Sequence, residues 1–287
     1  MRVLVTGASG MLGGRLASLL AAEVEVVGVC HRHAAPSGIE TVRADLSAEG
    51  ALVALVRATR PDAVLHAAAD ASVESCEAAP EAAARINVAS CAALGSVAAR
   101  DGIRVVALST DLVFDGSSGP VRHLDPPGAL NAYARTKLGG ERALLRAHPA
   151  AAVARMALVV GRGYRRPTAS ESILRALREG RPLRLYTDQV RSPIDPESAS
   201  RALLALLTSE GSGVYHLGGP ERLSRHALGL RVAALHELPG EGITAVRQVD
   251  SPPAVPRPLD VSLDSSRARS ELGWEPRPLD EALRECA

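Results

Sequence analysis

Three features of the 287-residue sequence predict an α/β fold built on a doubly wound parallel sheet. Strand-like and helix-like stretches alternate through the first 160 residues. A glycine-rich turn joins the first strand to the first helix. Small or hydroxyl-bearing residues follow two of the later strands. Such alternation implies right-handed βαβ units, and ligands in that architecture lie at the carboxyl ends of the strands.

The elements follow in order. Arg2–Val5 is a short apolar strand, Thr6–Gly13 the turn, and Arg15–Ala22 an amphipathic helix. Val24–Val29 is a β-branched strand and Ile39–Arg43 a short third one. Ala48–Ala58 is helical and Asp62–His66 a strand. Pro80–Arg100 is a long alanine-rich helix, with proline at its start, where a missing N–H costs nothing. Arg104–Leu108 is a strand, Asn131–Ala147 a helix and Ala151–Val160 a strand. Residues 1–160 thus read as a Rossmann-type dinucleotide-binding domain. Beyond Gly161 the pattern loosens. Ser170–Glu179, Glu197–Thr208 and Ser224–Glu237 are helical, and Val214–Leu217 is a strand. Ser251–Pro258 holds four prolines in eight residues and is an irregular connection. Ser265–Leu272 and Leu279–Glu285 are short closing helices. Residues 161–287 read as a smaller C-terminal substrate lobe, with some segments returning to the sheet.

Composition excludes several classes. The chain is 46% hydrophobic and 23% charged, an ordinary globular balance. A net charge of +1 provides no field for nucleic acid or anionic membrane. Aromatic residues are 2%, too few for base-stacking platforms. No uninterrupted apolar run approaches the roughly 18 residues of a membrane span, and the N-terminus lacks a signal-peptide pattern. Cys30, Cys76, Cys91 and Cys286 are scattered without a CxxC pair, which fits reduced thiols and a cytoplasmic location. His31 and His33 have no partner ligands nearby in sequence, so no metal is expected.

The turn carries the cofactor argument. Gly7 and Gly10 let the backbone approach a pyrophosphate, and Gly13 lets the helix pack on the strand. The free N–H groups around Ser9, Met11 and Leu12 favour an anion there. The spacing is a variant of the dinucleotide fingerprint, and a purely structural tight turn is its alternative. The second strand ends Gly28-Val29-Cys30 and runs into His31-Arg32-His33 with no carboxylate. Arg32 suits a 2′-phosphate, which favours NADP(H) over NAD(H); a solvated loop arginine is the alternative. Asp45-Leu46 places a carboxylate near an adenine amino group. Ala67 and Ala68 let a ribose lie against backbone. Both features are equally compatible with packing, and the side chains of Met11 and Met156 read as packing.

The chemistry argument rests on Tyr133 and Lys137. Spaced i, i+4 on a helix, they share a face. A neighbouring ammonium favours the phenolate over the ordinary pKa near 10, so the phenol can exchange a proton with a carbonyl. The same lysine can hold the nicotinamide ribose. Leu108-Ser109-Thr110-Asp111 ends a strand, where Ser109 or Thr110 can donate to a substrate oxygen. The alternatives are two exposed helix residues and a hydroxyl that caps a turn.

These motifs resemble the extended short-chain dehydrogenases/reductases and, more narrowly, the dTDP-4-dehydrorhamnose reductase family. The resemblance rests on Thr6–Gly13, Ser109–Gly116, Asn131–Glu141, Arg155 with Val159–Gly161, Asp188–Ile194 and Tyr215–Gly219, and it spans essentially the whole chain. It implies Tyr133 as proton donor, Lys137 as its activator, Thr110 or Ser109 as the carbonyl-binding hydroxyl, and Asp111, Val113 and Arg191 on the substrate side. Asn87 falls where the superfamily often has a relay or structural asparagine. Leu112 stands where the family usually has tyrosine, Ala134 where it has glycine, and Ala157 and Val160 where it has serine and tyrosine. Arg162, Arg165, Arg166 and Arg191 either face a nucleotide diphosphate or form a solvated basic surface. A homodimer through the two long helices is implied by the resemblance alone.

Three functions are carried forward. The first is NADPH-dependent reduction of a 4-keto-deoxysugar nucleotide. The second keeps the site but acts on another ketone or as a nucleotide-sugar epimerase. The third is a non-catalytic dinucleotide-binding subunit, as in the regulatory β subunit of methionine adenosyltransferase.

Overall fold

The computed structural model describes residues 1–286. Its centre is a seven-stranded parallel sheet in the order β3-β2-β1-β4-β5-β6-β9. These strands are β1 (Arg2–Thr6), β2 (Glu25–Cys30), β3 (Glu40–Arg43), β4 (Ala63–His66), β5 (Arg104–Thr110), β6 (Ala152–Met156) and β9 (Gly213–Leu217). The strand order reverses between β1 and β4, which opens a crevice beyond their carboxyl ends. Thr6 and His66 are register partners at that point.

Successive residues of β1 serve opposite layers, as a strand period of two requires. Val3 and Val5 pack with α1 (Met11–Leu20) and α8 (Pro196–Thr208) through Leu16, Leu203 and Leu206. Leu4 packs with α2 (Ala51–Thr59) and α5 (Ser90–Asp101) through Leu52, Leu55 and Leu94. Covered on both faces, the strands are apolar without alternation.

The expected helix over Pro80–Arg100 is one 22-residue helical run, Pro80–Asp101, with mean hydropathy 1.3. It comprises α4 (Pro80–Ala84), a π-helical turn (Arg85–Ala89) and α5. It is long and apolar enough to meet a length criterion for spanning a membrane, but Cys91, Leu94, Val97 and Ala98 face the sheet core. It packs along α6 (Ala132–Ala147), where a Cβ on Gly140 would lie 2.2 Å from the Asn87 carbonyl oxygen.

Other boundaries differ from the sequence expectation. α1 starts at Met11 rather than Arg15, because the glycines that hide its periodicity are buried inside it: a Cβ on Gly13 would lie 2.3 Å from the Gly7 oxygen. β6 stops at Met156, and Leu158–Val160 leaves the sheet to hydrogen bond Ile194. Short α3 (Val73–Ala78) was not expected. Neither were two small sheets, β7 (Leu183–Tyr186) with β11 (Ile243–Val246) and β8 (Val190–Arg191) with β10 (Leu223–Ser224). With α7 (Ala169–Arg178), α9 (Arg225–Leu235) and α11 (Leu279–Arg284) they surround a separate core that includes Val160, Leu174, Val232 and Leu283. α10 (Ser266–Leu272) packs beside β9.

Because α6 meets the π-helical turn at backbone distance at Gly140, Gly140→Ala is expected to lower stability by about 1–3 kcal/mol. Thermal unfolding checks this, and an unchanged melting temperature would remove Gly140 from the packing account.

Candidate active site

A cavity of about 950 Å³ lies at the carboxyl ends of the strands. Gly7, Ser9, Gly10, Met11 and Leu12 line one end. Gly7 has φ +70°, and a Cβ there would meet the Ala67–Ala68 backbone at 2.8–2.9 Å. Only glycine permits this approach. No side chain caps α1 and its first turn holds no acid, so its leading N–H groups stay available to an anion. Ala67 and Ala68 form the adjoining floor.

That floor is held by a buried chain of hydrogen bonds. The Thr6 hydroxyl oxygen accepts from the Ala67 and Ala68 N–H groups, each at 3.1 Å. Its proton therefore goes to His66 Nδ1 at 2.9 Å. His66 Nε2–H faces the Ser90 oxygen at 3.3 Å, while Ser90 donates to the Ile86 carbonyl. The imidazole is consequently neutral, and burial with the nearby Lys137 charge lowers its pKa to about 3.

At the far end of the turn, His31, Asp45 and Leu46 line the cavity. His31 Nε2 lies 3.7 Å from Asp45 Oδ2, and hydrogen bonds from Ser47 hold the Asp45 carboxyl below its ordinary range. Arg32 is exposed and does not line the cavity, though its charge acts on Asp45.

The opposite wall is built by the end of β5 and the start of α6. Asn131 caps α6, accepting from the Ala134 N–H at 2.9 Å and donating to the Pro256 carbonyl at 3.0 Å. Ser109, Thr110, Asp111, Tyr133 and Lys137 all line the cavity. The structure divides the two hydroxyls. Ser109 donates to Glu141 Oε1, whereas Thr110 donates to Asp111 Oδ1 at 3.2 Å and accepts from the Leu112 N–H. Thr110 is the one that needs only a rotation to serve a ligand. Asn87 sits in the π-helical turn, a common place for such distortions to serve a site. It accepts from the Asp70 N–H and donates to the Asp70 carbonyl and Thr136 Oγ1, tying the loop after β4 to α6.

The electrostatics differ from the expectation. Burial pushes the Tyr133 phenol up, opposed by the Thr110 hydroxyl. The carboxylates of Asp111 and Asp70 act in the raising direction, and Lys137 is not among the groups that dominate. The Lys137 Nζ instead donates 2.7 Å to the Leu108 carbonyl. Burial moves its pKa down, against the pull of Cys91, Glu141 and Cys76. Lys137 is also the only lysine in the chain.

Across the cavity lie Arg184, Gln189, Arg191, Arg225 and Arg257. Arg191 faces Asp111 with Nε 3.5 Å from Oδ2, both side chains buried. Gln189 Nε2 is buried without a hydrogen-bond partner among the described residues. Burial, then Arg191, lowers the Arg225 pKa to about 10. Arg257 also pairs with Glu74.

Several expected ligand contacts fall elsewhere. Val113 is fully buried in the apolar core and does not reach the cavity wall, because the 3-10 turn Asp111–Val113 rotates it inward. Arg165 and Arg166 line a separate depression of about 260 Å³, and Arg162 lines neither cavity. Leu112 and Ala157 are on the wall, but Val160 belongs to the lobe core. Arg184, Arg225 and Arg257 were missed because no local signal separates them in an arginine-rich chain.

The whole chain, residues 1–287, matches the family model described as the RmlD substrate binding domain. The methionine adenosyltransferase 2 subunit beta of Xenopus laevis is 30% identical over 275 residues, covering 93% of this chain and 81% of its own. A probable low-salt glycan biosynthesis reductase, Agl14, of Haloferax volcanii is 29% identical over 293 residues, covering 99% and 96%. The crystal structure of a hypothetical dTDP-4-dehydrorhamnose reductase from Sulfolobus tokodaii is 32% identical, with 96% of each chain covered and a TM-score of 0.83.

The buried His66 makes a pH prediction. Its folded pKa of about 3 lies below the ordinary value of 6.5, so the unfolded chain takes up the proton first. Its contribution to stability is complete above pH 6.5 and is lost as pH falls toward 3. His216, lowered to about 4 by burial and Arg155, acts in the same direction. Melting temperature should fall between pH 6.5 and 5, and less steeply in His66→Asn. A flat profile in wild type would contradict the neutral, buried assignment.

Proposed function

The chain belongs to the RmlD substrate binding domain family, and on that premise we propose that it is an NADPH-dependent reductase of a nucleotide-linked 4-keto deoxysugar. The observation that carries this reading is the convergence of Thr110, Tyr133 and Lys137 on one wall of the cavity whose one end is the glycine turn. The uncapped α1 terminus, the Gly7 approach and the alanine floor fit a dinucleotide. A reduced nicotinamide bound there supplies hydride to a carbonyl carbon. The absence of an acid after β2, with Arg32 present, supports the phosphorylated cofactor.

The protein's own groups handle the oxygen. Thr110 turns its hydroxyl from Asp111 to the substrate carbonyl oxygen and polarises it. Tyr133 then delivers its proton to that oxygen as negative charge develops. A phenol pushed up by burial is fully protonated at neutral pH, as a proton donor must be. Lys137, fixed by the Leu108 carbonyl, stabilises the phenolate left behind and offers its remaining protons to a ribose. The arginines opposite favour an anionic substrate tail, which guanidinium groups bind in bidentate fashion. Unpartnered Gln189 Nε2 supplies a donor on the same side. Leu112 and Ala157 make the wall near the reacting centre apolar.

A second reading is favoured by one finding, the 30% identity with a methionine adenosyltransferase subunit beta. It keeps the dinucleotide site and assigns the chain to a partner protein instead of to turnover.

NADPH oxidation against a panel of nucleotide-linked 4-keto sugars and simple ketones separates these readings. Turnover of the nucleotide-linked ketones alone is the expected result. No oxidation across the panel, with a stable complex recovered from lysate, would favour the second. Tyr133→Phe should bind NADPH as wild type does and lose about 10²–10⁴-fold in kcat. Arg32→Ala should raise the KM for NADPH by roughly 10- to 100-fold, the loss of one charge-assisted contact, and leave NADH unaffected. Equal effects on both cofactors would overturn the NADPH assignment.

A further inference from the structure

Behind the reacting wall lies a buried ion pair that the chemistry above does not use. Glu141 stands one turn beyond Lys137 on α6, as Lys137 stands one turn beyond Tyr133, so the three share a helix face. The Glu141 carboxylate accepts from Arg155 Nε at 3.1 and 3.2 Å and from Nη2 at 2.7 Å. Both side chains are 5–6% exposed. Arg155 comes from β6 and lies 4.9 Å over the Phe114 ring, which meets the His216 ring edge-on at 5.5 Å. Ser109 completes the carboxylate shell from β5.

We propose that Glu141, anchored by Arg155, is a positioning residue of the reacting centre: it fixes Ser109 at the end of β5 and sets its negative charge one helical turn from the Lys137 ammonium, which the Leu108 carbonyl holds. The inference rests on the reductase reading for its kinetic consequence alone. A buried ion pair is replaceable by apolar side chains at little cost to folding, so stability does not account for its placement. The carboxylate ties together β5, β6 and α6, the three elements that carry Thr110, the sheet beside it, and Tyr133 with Lys137. Finally, apart from Glu141, the groups facing Lys137 supply no full negative charge. Those facing it are the neutral His66 from β4, the buried thiols Cys76 from α3 and Cys91 from α5, and Glu141 from α6. Glu141 is the one carboxylate among the groups that hold Lys137 in its charged form, against the burial that disfavours it. The part of Arg155 is to hold Glu141, through its two-nitrogen contact with the carboxylate.

Because the chain has a single lysine, carbon-13 labelling at lysine Cε gives one resonance, whose titration needs no substrate. In Glu141→Gln, which keeps the shape and loses the charge, the Lys137 midpoint should fall by about one pH unit. The alkaline limb of kcat/KM should move with it. Glu141→Asp keeps the charge and should restore the midpoint while kcat stays below wild type. If Glu141→Gln does not fold, the double variant Glu141→Leu/Arg155→Met removes both charges together and should show a smaller fall in the same direction. An unmoved Lys137 midpoint in a folded Glu141→Gln or double variant overturns the proposal and leaves Glu141 a structural residue. Failure of the reductase reading is visible separately, as absent turnover in wild type with the titration shift intact.

Discussion

The hydroxyl of Thr6 is the point on which the ligand crevice depends. It stands where the strand order reverses, accepts two backbone N–H groups from the chain leaving β4, and donates to His66. Without a group able to accept twice and donate once, the Ala67–Ala68 backbone would have unsatisfied N–H groups beside the glycine turn, at a cost of about 1–3 kcal/mol each. With it, the two edges of the crevice approach so closely that only glycine fits at position 7. The alanine floor and the close approach at Gly7 follow from that junction.

The second organising constraint is the handling of buried charge. The reacting wall keeps His66 neutral and Tyr133 protonated, and the one ammonium is held by a carbonyl. Negative charge is either paired, as Glu141 is with Arg155, or opposed, as Asp111 is by Arg191. Positive charge in excess gathers on the far side at Arg184 and Arg225, beside the paired Arg257. The cavity is therefore polarised across its width: a weakly charged, partly apolar reacting side faces a cationic rim. A substrate with an uncharged ketone at one end and an anionic tail at the other matches that gradient in one orientation only.

The fold was legible because its signals are local. β-branched runs, a glycine turn and a proline-led helix do not depend on distant partners. The candidate site was legible where chemistry is written at fixed spacing, as with Tyr133 and Lys137 at i, i+4, or Thr110 at a strand end. What escaped is non-local. The helix α1 was shortened in the sequence because Gly13 and Gly14 carry no apolar signal, although each is packed against backbone or the Tyr164 ring. Nothing near Val113 distinguishes an inward turn from an outward one. The spacing of Tyr133 and Lys137 shows that an ammonium is close but not that burial outweighs it and raises the phenol pKa. The cationic rim is assembled from β7, α9 and the proline-rich connection, segments far apart in the chain, and its arginines look like any others until folding selects them.

The single lysine carries one more consequence. Every other side chain of permanent positive charge is a guanidinium, which is far less reactive than an amine toward acylating reagents and carbonyls. Apart from the terminal amine, the protein offers aldehydes and amine-directed crosslinkers one side-chain amine, and that nitrogen is buried against the Leu108 carbonyl. Amine labelling beyond the terminus is thus confined to one position, and labelling of Lys137 becomes a direct gauge of access to the cavity.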